Sequence, residues 1–158
     1  NLGKTTNFGI SKAKGNLICK IDADDIIKKK FAEDNYLFMK KKNADFVFSN
    51  ILVNDLLKKK KYLKVQKSKN FFSILSYPHG SGCLFKKRIW KKVGKFNQKN
   101  FYQDDFDFWL KIKKLKNIKI EHLDKALYVY NKHNNNMSKN FLIKNLTKFK
   151  ILIKHLLI

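Results

Sequence analysis

The sequence has few of the residues that cross-link or interrupt a chain. It contains two cysteines, Cys19 and Cys83, and a single proline, Pro78. Both cysteines lie in apolar runs and no CxxC pair occurs. We therefore predict buried free thiols in a reducing compartment rather than a disulfide or a zinc site. The first residues do not read as a signal peptide, and no uninterrupted apolar stretch is long enough to span a bilayer.

Acidic residues and arginine are also scarce. Lys and Arg number 36 against 12 Asp and Glu, which gives a net charge of +24, and the one arginine is Arg88. Such a field attracts nucleic acid, anionic lipid or phosphorylated ligands. The lysines are scattered beside Asn, Ile and Phe, however, which is typical of a compositional bias. With so little arginine and no RNA or DNA signature, we expect no nucleic acid and keep a basic nucleic-acid-binding module only as an alternative.

What is present suffices for one globular domain. The 158 residues are 44% hydrophobic and 14% aromatic, which allows a buried core. Strand-like and helix-like patterns alternate, and this predicts an α/β fold. The individual predictions are helices at 2–14 and 31–39, strands at 17–19 and 45–53, a loop or hairpin tip at 58–61, a short helix at 71–75, a loop at 77–82, a strand at 83–85, a helical turn at 87–93, a helix within 101–115, strands at 118–123 and 126–132, and a helix from 139 onward.

Three of the few carboxylates, Asp22, Asp24 and Asp25, follow the apolar run 17–19 directly. A short aliphatic run that ends in acids predicts a buried strand opening into a ligand-binding loop. Clustered carboxylates repel one another unless a cation or a hydroxyl-rich ligand offsets the repulsion, and their hard oxygen donors suit Mg²⁺ or Mn²⁺. The alternative is an acidic turn that caps the next helix, and the short motif alone slightly favours it.

A second acidic group, Asp104 and Asp105, stands at the start of the helix predicted within 101–115. Carboxylates in this position are stabilised by free backbone N–H groups and by the helix dipole. A helix cap is therefore a sufficient explanation for the pair when it is considered alone.

The last segment, 139–158, is a basic amphipathic helix. Its apolar residues recur at helical spacing with lysines between them: Leu142, Leu146, Phe149, Ile153 and Leu156. We expect this stripe to pack on the body of the protein. Contact with a partner or with an anionic membrane surface is the alternative.

The order of these motifs over most of residues 1–138 resembles the family 2 glycosyltransferases, inverting enzymes with the GT-A fold. That fold is a Rossmann-like mixed sheet flanked by helices, so residues 1–138 are expected to form a partial GT-A domain. Residues 139–158 would pack on it or extend it. The resemblance is carried by Asn7, Gly9, Ile10, Ala13, Gly15, Asp22, Ala23, Asp24, Asp25, Gly94, Phe96, Asp104, Asp105, Asp107, Trp109, Leu110, Tyr130, His133 and Ser138.

The resemblance implies a role for each acid. In such enzymes a DxD-type motif holds the Mg²⁺ or Mn²⁺ ion that bridges the diphosphate of a nucleotide sugar, which assigns the metal to Asp24. Asp22 would help through the metal, its water shell or the ribose. The second member of the acid pair is the general base, here Asp105, and Asp104 replaces the usual Glu as a fallback base or acceptor-orienting group. His133 resembles the late histidine near the diphosphate or metal.

The same resemblance implies the reaction. A sugar would pass from a nucleotide-sugar donor to a hydroxyl of a glycan, lipid-linked or polysaccharide acceptor, by single displacement with inversion. Because such donors are supplied in the cytosol, we expect a cytoplasmic protein, with the C-terminal helix resting on the inner face of a membrane as an alternative.

Two kinds of departure from the family pattern affect these expectations. The resemblance implies that Asn7 helps to bind the donor, but Thr6 occupies the place of the arginine before it, with Lys4 as a substitute for binding the donor. Lys111 and Asn131 also replace arginines. Because lysine cannot make a planar bidentate contact, substrate binding would be weakened or altered.

The family also opens with a strand, a helix and a strand ending in an acidic turn, so we expect a fragment lacking the first βαβ unit. An inactive glycosyltransferase remnant is the corresponding alternative.

Overall fold

The structure, a computed structural model, describes residues 1–66, 78–100, 102–136 and 140–157. The helix predicted at 71–75, together with Tyr77, Phe101 and Ser138, lies outside the described residues. The helices are α1 (Leu2–Lys12), α2 (Phe31–Lys42), α3 (Lys87–Lys92), α4 (Asp104–Lys113) and α5 (Phe141–Leu156). The strands are β1 (Leu17–Cys19), β2 (Ile26–Ile27), β3 (Phe46–Asp55), β4 (Lys60–Lys64), β5 (Leu84–Lys86) and β6 (Ile120–Lys132).

These strands form one mixed sheet in the order β1-β5-β3-β6-β2, with β4 also paired to β3. The pairing of β3 with β6 is parallel, whereas the others are antiparallel. Along one edge of β3, Phe46 and Val47 pair with β5 and residues 51–55 pair with β4. The strand β3 therefore lies at the centre of the fold, and β4 continues the sheet where β5 ends.

The two strands predicted at 118–123 and 126–132 are a single strand, β6, so the predicted break between them is wrong. The register against β3 shifts at this place: Ser49 pairs with Leu123, but Asn50 pairs with Ala126. The Asn50 Nδ2 donates to Asp124 Oδ1 at 2.6 Å. A polar interruption that resembles a turn in the sequence is thus absorbed as an irregularity inside one strand.

The core lies on both faces of the sheet because successive side chains of β3 point to opposite sides. Phe46 and Phe48 pack with Trp90 and Trp109 beneath α1, α3 and α4. On the other face, Val47 packs with residues of α2 and with β6. Both faces of β3 are buried, which explains why its apolar residues occur in the unbroken runs 46–48 and 51–53 rather than at alternate positions.

The helix α5 packs on α4 through the face opposite to the expected one. Ile151 is 3% exposed and contacts Phe106 and Leu110. The predicted apolar stripe remains at the surface: Leu142, Leu146, Phe149 and Leu156 are 60–74% exposed, and Ile153 is 41% exposed. The helix therefore packs on the body of the protein, but the predicted apolar stripe does not make that contact.

The reason is the composition of the surface that α4 offers to α5. That surface has a small apolar patch beside Asp107, which is fully buried and accepts a hydrogen bond from His155 Nε2 at 3.1 Å. The Lys114 ammonium also donates to the His155 carbonyl at 2.7 Å. Polar contacts thus select the face of α5 that packs inward. Among the described helices, none combines the length and apolar content needed to cross a membrane.

Candidate active site

The first acidic group lies in residues 20–25, here called the acidic loop, which directly follow β1, as predicted. Lys20 Nζ lies 2.6 Å from Asp22 Oδ1 and 2.8 Å from Ser81 Oγ, and the Ser81 hydroxyl donates to Asp22 Oδ2 at 2.5 Å. Burial would raise the pKa of Asp22, but Lys20 and Ser81 keep it below its ordinary value. Both oxygens of Asp22 are thus bonded within the protein, one of them to a cation. These contacts favour a role through the ribose or a water rather than direct binding of a metal ion.

Asp25 fastens the acidic loop to β6. The Tyr128 hydroxyl donates to Asp25 Oδ2 at 2.7 Å, and the Asn131 amide donates to Asp25 Oδ1 at 2.8 Å. Burial raises the pKa of Asp25, and these two hydrogen bonds oppose the rise. The three carboxylates therefore have different surroundings, since that of Asp25 is hydrogen-bonded to Tyr128 and Asn131 of β6.

Asp24 and His133 come together across 109 residues of sequence. His133 Nε2 lies 2.9 Å from Asp24 Oδ2, and the Asp24 side chain is 47% exposed. The backbone N–H of Asn135 donates to His133 Nδ1 at 3.1 Å, which assigns the ring proton to Nε2 and makes His133 the donor. Asn131 Nδ2 also donates to the Asp24 carbonyl at 2.7 Å. Both predicted residues thus lie on one surface, at the end of β6.

Only part of the predicted ligand set suits a divalent ion. Within the described ranges, no group of three or more His, Cys, Asp or Glu side chains is placed to hold a metal. Mg²⁺ is commonly bound by one or two carboxylates together with substrate phosphates and water. The exposed Asp24 fits that arrangement, and His133, which donates to it, orients the carboxylate. Metal binding by Asp24, Asp22 and His133 stays a prediction.

The second acidic group begins α4. Asp104 is 4% exposed, and burial raises its pKa, while Lys20 lowers it and Asp22 raises it. The two acidic groups are thus close enough for their charges to interact. Asp105 Oδ1 accepts from the adjacent Phe106 amide at 2.8 Å within the first turn of α4, whereas the residue at the N-cap, Gln103, makes no capping bond with its side chain. Burial and the neighbouring Asp104 nevertheless raise the pKa of Asp105 to about 6, a shift that a surface cap does not need.

Residues 78–82, here called the glycine loop, join the two acidic groups. A Cβ added to Gly80 would lie 2.5 Å from the Asp105 Cβ, so the loop backbone rests on that side chain. Gly82 has φ +81°, and an added Cβ would lie 2.8 Å from the Tyr128 ring. Between these glycines, Ser81 bonds Asp22. One short loop therefore fixes the distance between the acidic loop and Asp105.

Two residues predicted to bind the donor have other described contacts. Asn7 is buried in α1, where its Oδ1 accepts from Trp90 Nε1 at 2.9 Å and from the Phe96 amide at 3.0 Å. Its Nδ2 donates to the Phe96 carbonyl at 2.8 Å. These bonds give Asn7 a structural role in joining α1 to the segment after α3. Lys4 is exposed in the first turn of α1. Donor binding by Asn7 and Lys4 stays a prediction.

Sequence reasoning missed most of the residues that hold the acids in place, which are Lys20, Gly80, Ser81 and Tyr128, and it singled out Asn131 only as the replacement of an arginine. The only sequence signal for them was the cluster of Gly, Ser and His in the loop predicted at 77–82. Tyr128 and Asn131 carry no such signal, because they meet the acidic loop only through the pairing of β2 with β6.

Comparison with known proteins identifies relatives of this chain. The sequence profile of Glycosyl transferase family 2 matches residues 1–107. The O-antigen biosynthesis glycosyltransferase WbnJ of Escherichia coli is 28% identical over 148 residues, which cover 86% of this chain and 55% of WbnJ. The uncharacterized glycosyltransferase MJ1057 of Methanocaldococcus jannaschii is 31% identical over 121 residues, which cover 70% of this chain and 41% of that protein.

Solved structures share the fold. Staphylococcus aureus TarS 1-349 in complex with UDP-GlcNAc matches with a TM-score of 0.70 and 20% identity, over 98% of this chain and 51% of that chain. The chain therefore spans about half the length of the relatives it matches. The predicted mixed α/β fold of the GT-A type is confirmed by these matches. Since the family profile covers more than half of the sequence, the predicted resemblance is also confirmed, and the chain belongs to glycosyl transferase family 2.

Proposed function

We propose that this chain carries the catalytic acids of an inverting glycosyltransferase, which moves a sugar from a nucleotide sugar to a hydroxyl group of an acceptor. The observation that carries the proposal is the placement of a half-buried carboxylate, Asp105, beside the acidic loop, with the glycine loop between them. The named relatives support it, since WbnJ is a glycosyltransferase of O-antigen biosynthesis and TarS was crystallised with UDP-GlcNAc. A UDP-sugar donor and a glycan, lipid-linked or polysaccharide acceptor follow from this likeness.

Asp105 would act as the general base. Its carboxylate takes the proton of the acceptor hydroxyl while that oxygen forms a bond to the anomeric carbon of the donor sugar. The bond from the anomeric carbon to the diphosphate breaks on the opposite face, and the configuration inverts. A pKa of about 6 keeps Asp105 ionised near neutral pH, yet basic enough to accept a proton as the bond forms. Asp104 lies beside it and would orient the acceptor.

The acidic loop would hold the donor. Asp24, with His133 behind it, would bind Mg²⁺ or Mn²⁺ together with the donor diphosphate. When bound, such an ion neutralises the charge that develops on the leaving diphosphate. Lys20 holds Asp22 in place, so that its carboxylate is available to the ribose or to a water of the ion. Tyr128 and Asn131 fix the loop through Asp25.

A base-deleted variant tests the role of Asp105. In the full-length protein, Asp105→Asn should lower the release of nucleoside diphosphate from a UDP-sugar and acceptor by about 10²-fold or more, the usual contribution of a positioned base. Asp34→Asn is a matched control, because Asp34 pairs with Lys125 on the surface of α2. Full activity in Asp105→Asn, with its circular dichroism unchanged, would refute the assignment of the base.

The exposed apolar stripe of α5 supports contact of the protein with a membrane surface. The stripe is flanked by the exposed Lys150 and Lys154, and α5 contains no acidic residue. We propose that α5 lies on an anionic membrane surface, with the apolar stripe in the interface and lysines near the headgroups. A second copy of the chain fits this face less well, because two strongly cationic surfaces would repel each other.

A further inference from the structure

The glycine loop is fastened at both of its ends. At its end, the Gly82 N–H donates to the Lys20 carbonyl at 2.8 Å. At its start, the backbone N–H of His79 donates to Gln66 Oε1 at 2.5 Å, across 13 positions of sequence. Between these two attachments lies Gly80, whose backbone rests on the proposed base. The start of the loop therefore depends on Gln66, a residue outside both acidic groups.

Gln66 is held in turn by the central strand. It is 7% exposed, its N–H donates to Asn50 Oδ1 at 3.0 Å, and its Nε2 donates to the Ser49 carbonyl at 2.5 Å. Ser49 and Asn50 are the residues of β3 at which the register against β6 shifts, and such an irregularity frees backbone groups from the regular ladder. The hydrogen bonds of this one residue thus join the centre of the sheet to the glycine loop.

The attachment point on β3 is itself fixed by β6. Asn50 is 2% exposed, its Oδ1 lies 2.8 Å from His122 Nε2, and its Nδ2 donates to Asp124 Oδ1 at 2.6 Å. The His122 ring also stacks on Phe48, with 5.1 Å between the ring centres. A buried polar network whose members have partners is rigid. Gln66 is therefore bonded to a part of the protein whose position does not depend on the glycine loop.

His79 connects this attachment to the acids. Its ring packs against Tyr128 and Tyr130, with ring centres 5.9 Å and 4.9 Å away. Burial lowers the pKa of His79 to about 4, so the ring is neutral at neutral pH and its Nδ1 accepts from the Ser81 N–H at 3.4 Å. The Ser81 hydroxyl in turn donates to Asp22. Contacts therefore lead from the start of the glycine loop to the acidic loop.

We propose that Gln66 is a positioning residue of the transfer reaction: it holds the start of the glycine loop, and this loop sets the positions of Asp22 and Asp105. In this role Gln66 touches neither the substrates nor the reacting atoms, and it acts through His79. The transfer reaction rests on the proposed function, whereas the placement of the loop by Gln66 does not.

The pKa of Asp105 reports the position of the loop independently of activity. Burial is the largest cause of its rise to about 6, and the backbone of Gly80 covers this side chain. A displaced loop would hydrate the carboxylate and lower its pKa towards the ordinary value of about 4. The charged groups that act on Asp105 belong to other segments of the chain: Lys20, Lys64, Asp104, Lys144 and Lys148.

Carbon NMR titration of the Asp105 carboxyl group in the full-length protein measures this pKa, with the signal assigned by its loss in Asp105→Asn. Gln66→Met replaces the amide by an apolar side chain of similar size. It should lower the pKa of Asp105 by about one unit and kcat with a UDP-sugar about tenfold or more. The acidic limb of kcat/KM should move to lower pH by the same amount as the pKa.

Asn35→Leu is the matched control, because it makes the same kind of change at a buried amide of α2. It should leave the pKa of Asp105 and kcat unchanged. If Gln66→Met does not fold, Gln66→Asn gives the same test, since its amide is one methylene shorter and cannot reach Ser49 and His79 together.

An unchanged pKa of Asp105 in the Gln66 variant, an unchanged kcat, or equal changes in Asn35→Leu would each overturn the proposal. A fall in the pKa of Asp105 in a protein that has no transferase activity would support the placement of the loop by Gln66. That result would contradict the proposed function alone.

Discussion

Asp105 is the single residue whose surroundings give the clearest functional expectation. Because burial and Asp104 raise its pKa to about 6, the carboxylate is ionised above that pH and protonated below it. As a general base it must be ionised, so kcat/KM should fall about tenfold per pH unit below about pH 6. A pH profile of the full-length protein checks this. An acidic limb centred near pH 4, the ordinary value for Asp, would contradict it.

Gly80 offers a test of positioning that leaves the acids themselves unchanged. In Gly80→Ala the new methyl group would meet Asp105 Cβ at 2.5 Å, so the side chain must shift. Misplacement of a base by a fraction of an ångström is expected to lower kcat about tenfold or more. Gly9→Ala is the matched control, because an added Cβ there meets nothing within 4 Å.

The control has its own expected outcome. Gly9 lies inside α1, where alanine is favoured over glycine by about 0.5–1 kcal/mol, so Gly9→Ala should leave kcat unchanged and raise the free energy of unfolding. Steady-state kinetics and urea unfolding of both variants measure these effects. Normal kcat in Gly80→Ala would show that the glycine loop does not position Asp105.

At this scale the sequence predicted where the two acidic groups lie but not which residues hold them in place. Asp22, Asp24, Asp104 and Asp105 stand out because acids are rare in the chain and follow strand or helix boundaries. The contacts of Tyr128 and Asn131 with Asp25 depend on tertiary pairing, and residue type gives no sign of it. The roles implied for Asn7 and Lys4 came from the family resemblance alone, and no described contact tests them.

Among the elements, α5 has a buried face and an exposed face, and substitutions on the two faces are expected to differ in their effect on stability. Ile151→Ala removes a side chain that is 3% exposed, and it should lower the stability of α5 docking by about 2–4 kcal/mol. Leu146→Ser alters a side chain that is 60% exposed, and it should change stability by less than about 0.5 kcal/mol. Amide hydrogen exchange of α5 and urea unfolding compare the two.

The same variants separate packing from membrane contact. Leu146→Ser should weaken binding of the full-length protein to vesicles that contain phosphatidylglycerol, because it removes apolar area from the interface. If Leu146→Ser instead destabilises α5 as much as Ile151→Ala does, the stripe packs within the protein and the proposed membrane contact fails.

Hydrophobic periodicity was sufficient to predict some of the helices and strands, but not all of them. Strongly patterned segments such as β3 and α2 were predicted from their own residues. The single strand β6 was predicted as two, because Asp124 and Lys125 resemble a turn when the parallel neighbour is unknown. For α5 the spacing predicted a helix, but the inward face was set by Asp107 and the neighbouring patch on α4.

For the whole molecule, Asp45 links several strands and should set part of the acid stability. Its carboxylate accepts hydrogen bonds from Lys86 Nζ at 2.8 Å, Arg88 Nη2 at 2.7 Å and the Lys119 amide at 3.1 Å. Burial would raise the pKa of Asp45, but these bonds lower it to about 2. The stabilisation is therefore present above about pH 4 and is lost as the pH falls towards 2.

Removal of this charge should flatten the pH dependence of stability. Asp45→Asn should lower the urea midpoint at neutral pH, and the difference from the unmodified protein should shrink between pH 4 and pH 2. Asp34→Asn, on the surface of α2, serves as the control. A difference that stays constant over this range would mean that Asp45 contributes no pH-dependent stability.

The parallel pairing of β3 with β6 has a consequence for the order of folding. It joins residues 46–55 to residues 120–132, so most of the chain must be synthesised before the centre of the sheet can close. Long-range pairings of this kind slow folding, because the loop between them is closed before its contacts form. The acidic loop is tied to β6 by Tyr128 and Asn131. The acidic loop should therefore reach its final geometry late in folding. A nascent chain in which β6 has not yet been synthesised should be unable to organise the residues assigned to the donor.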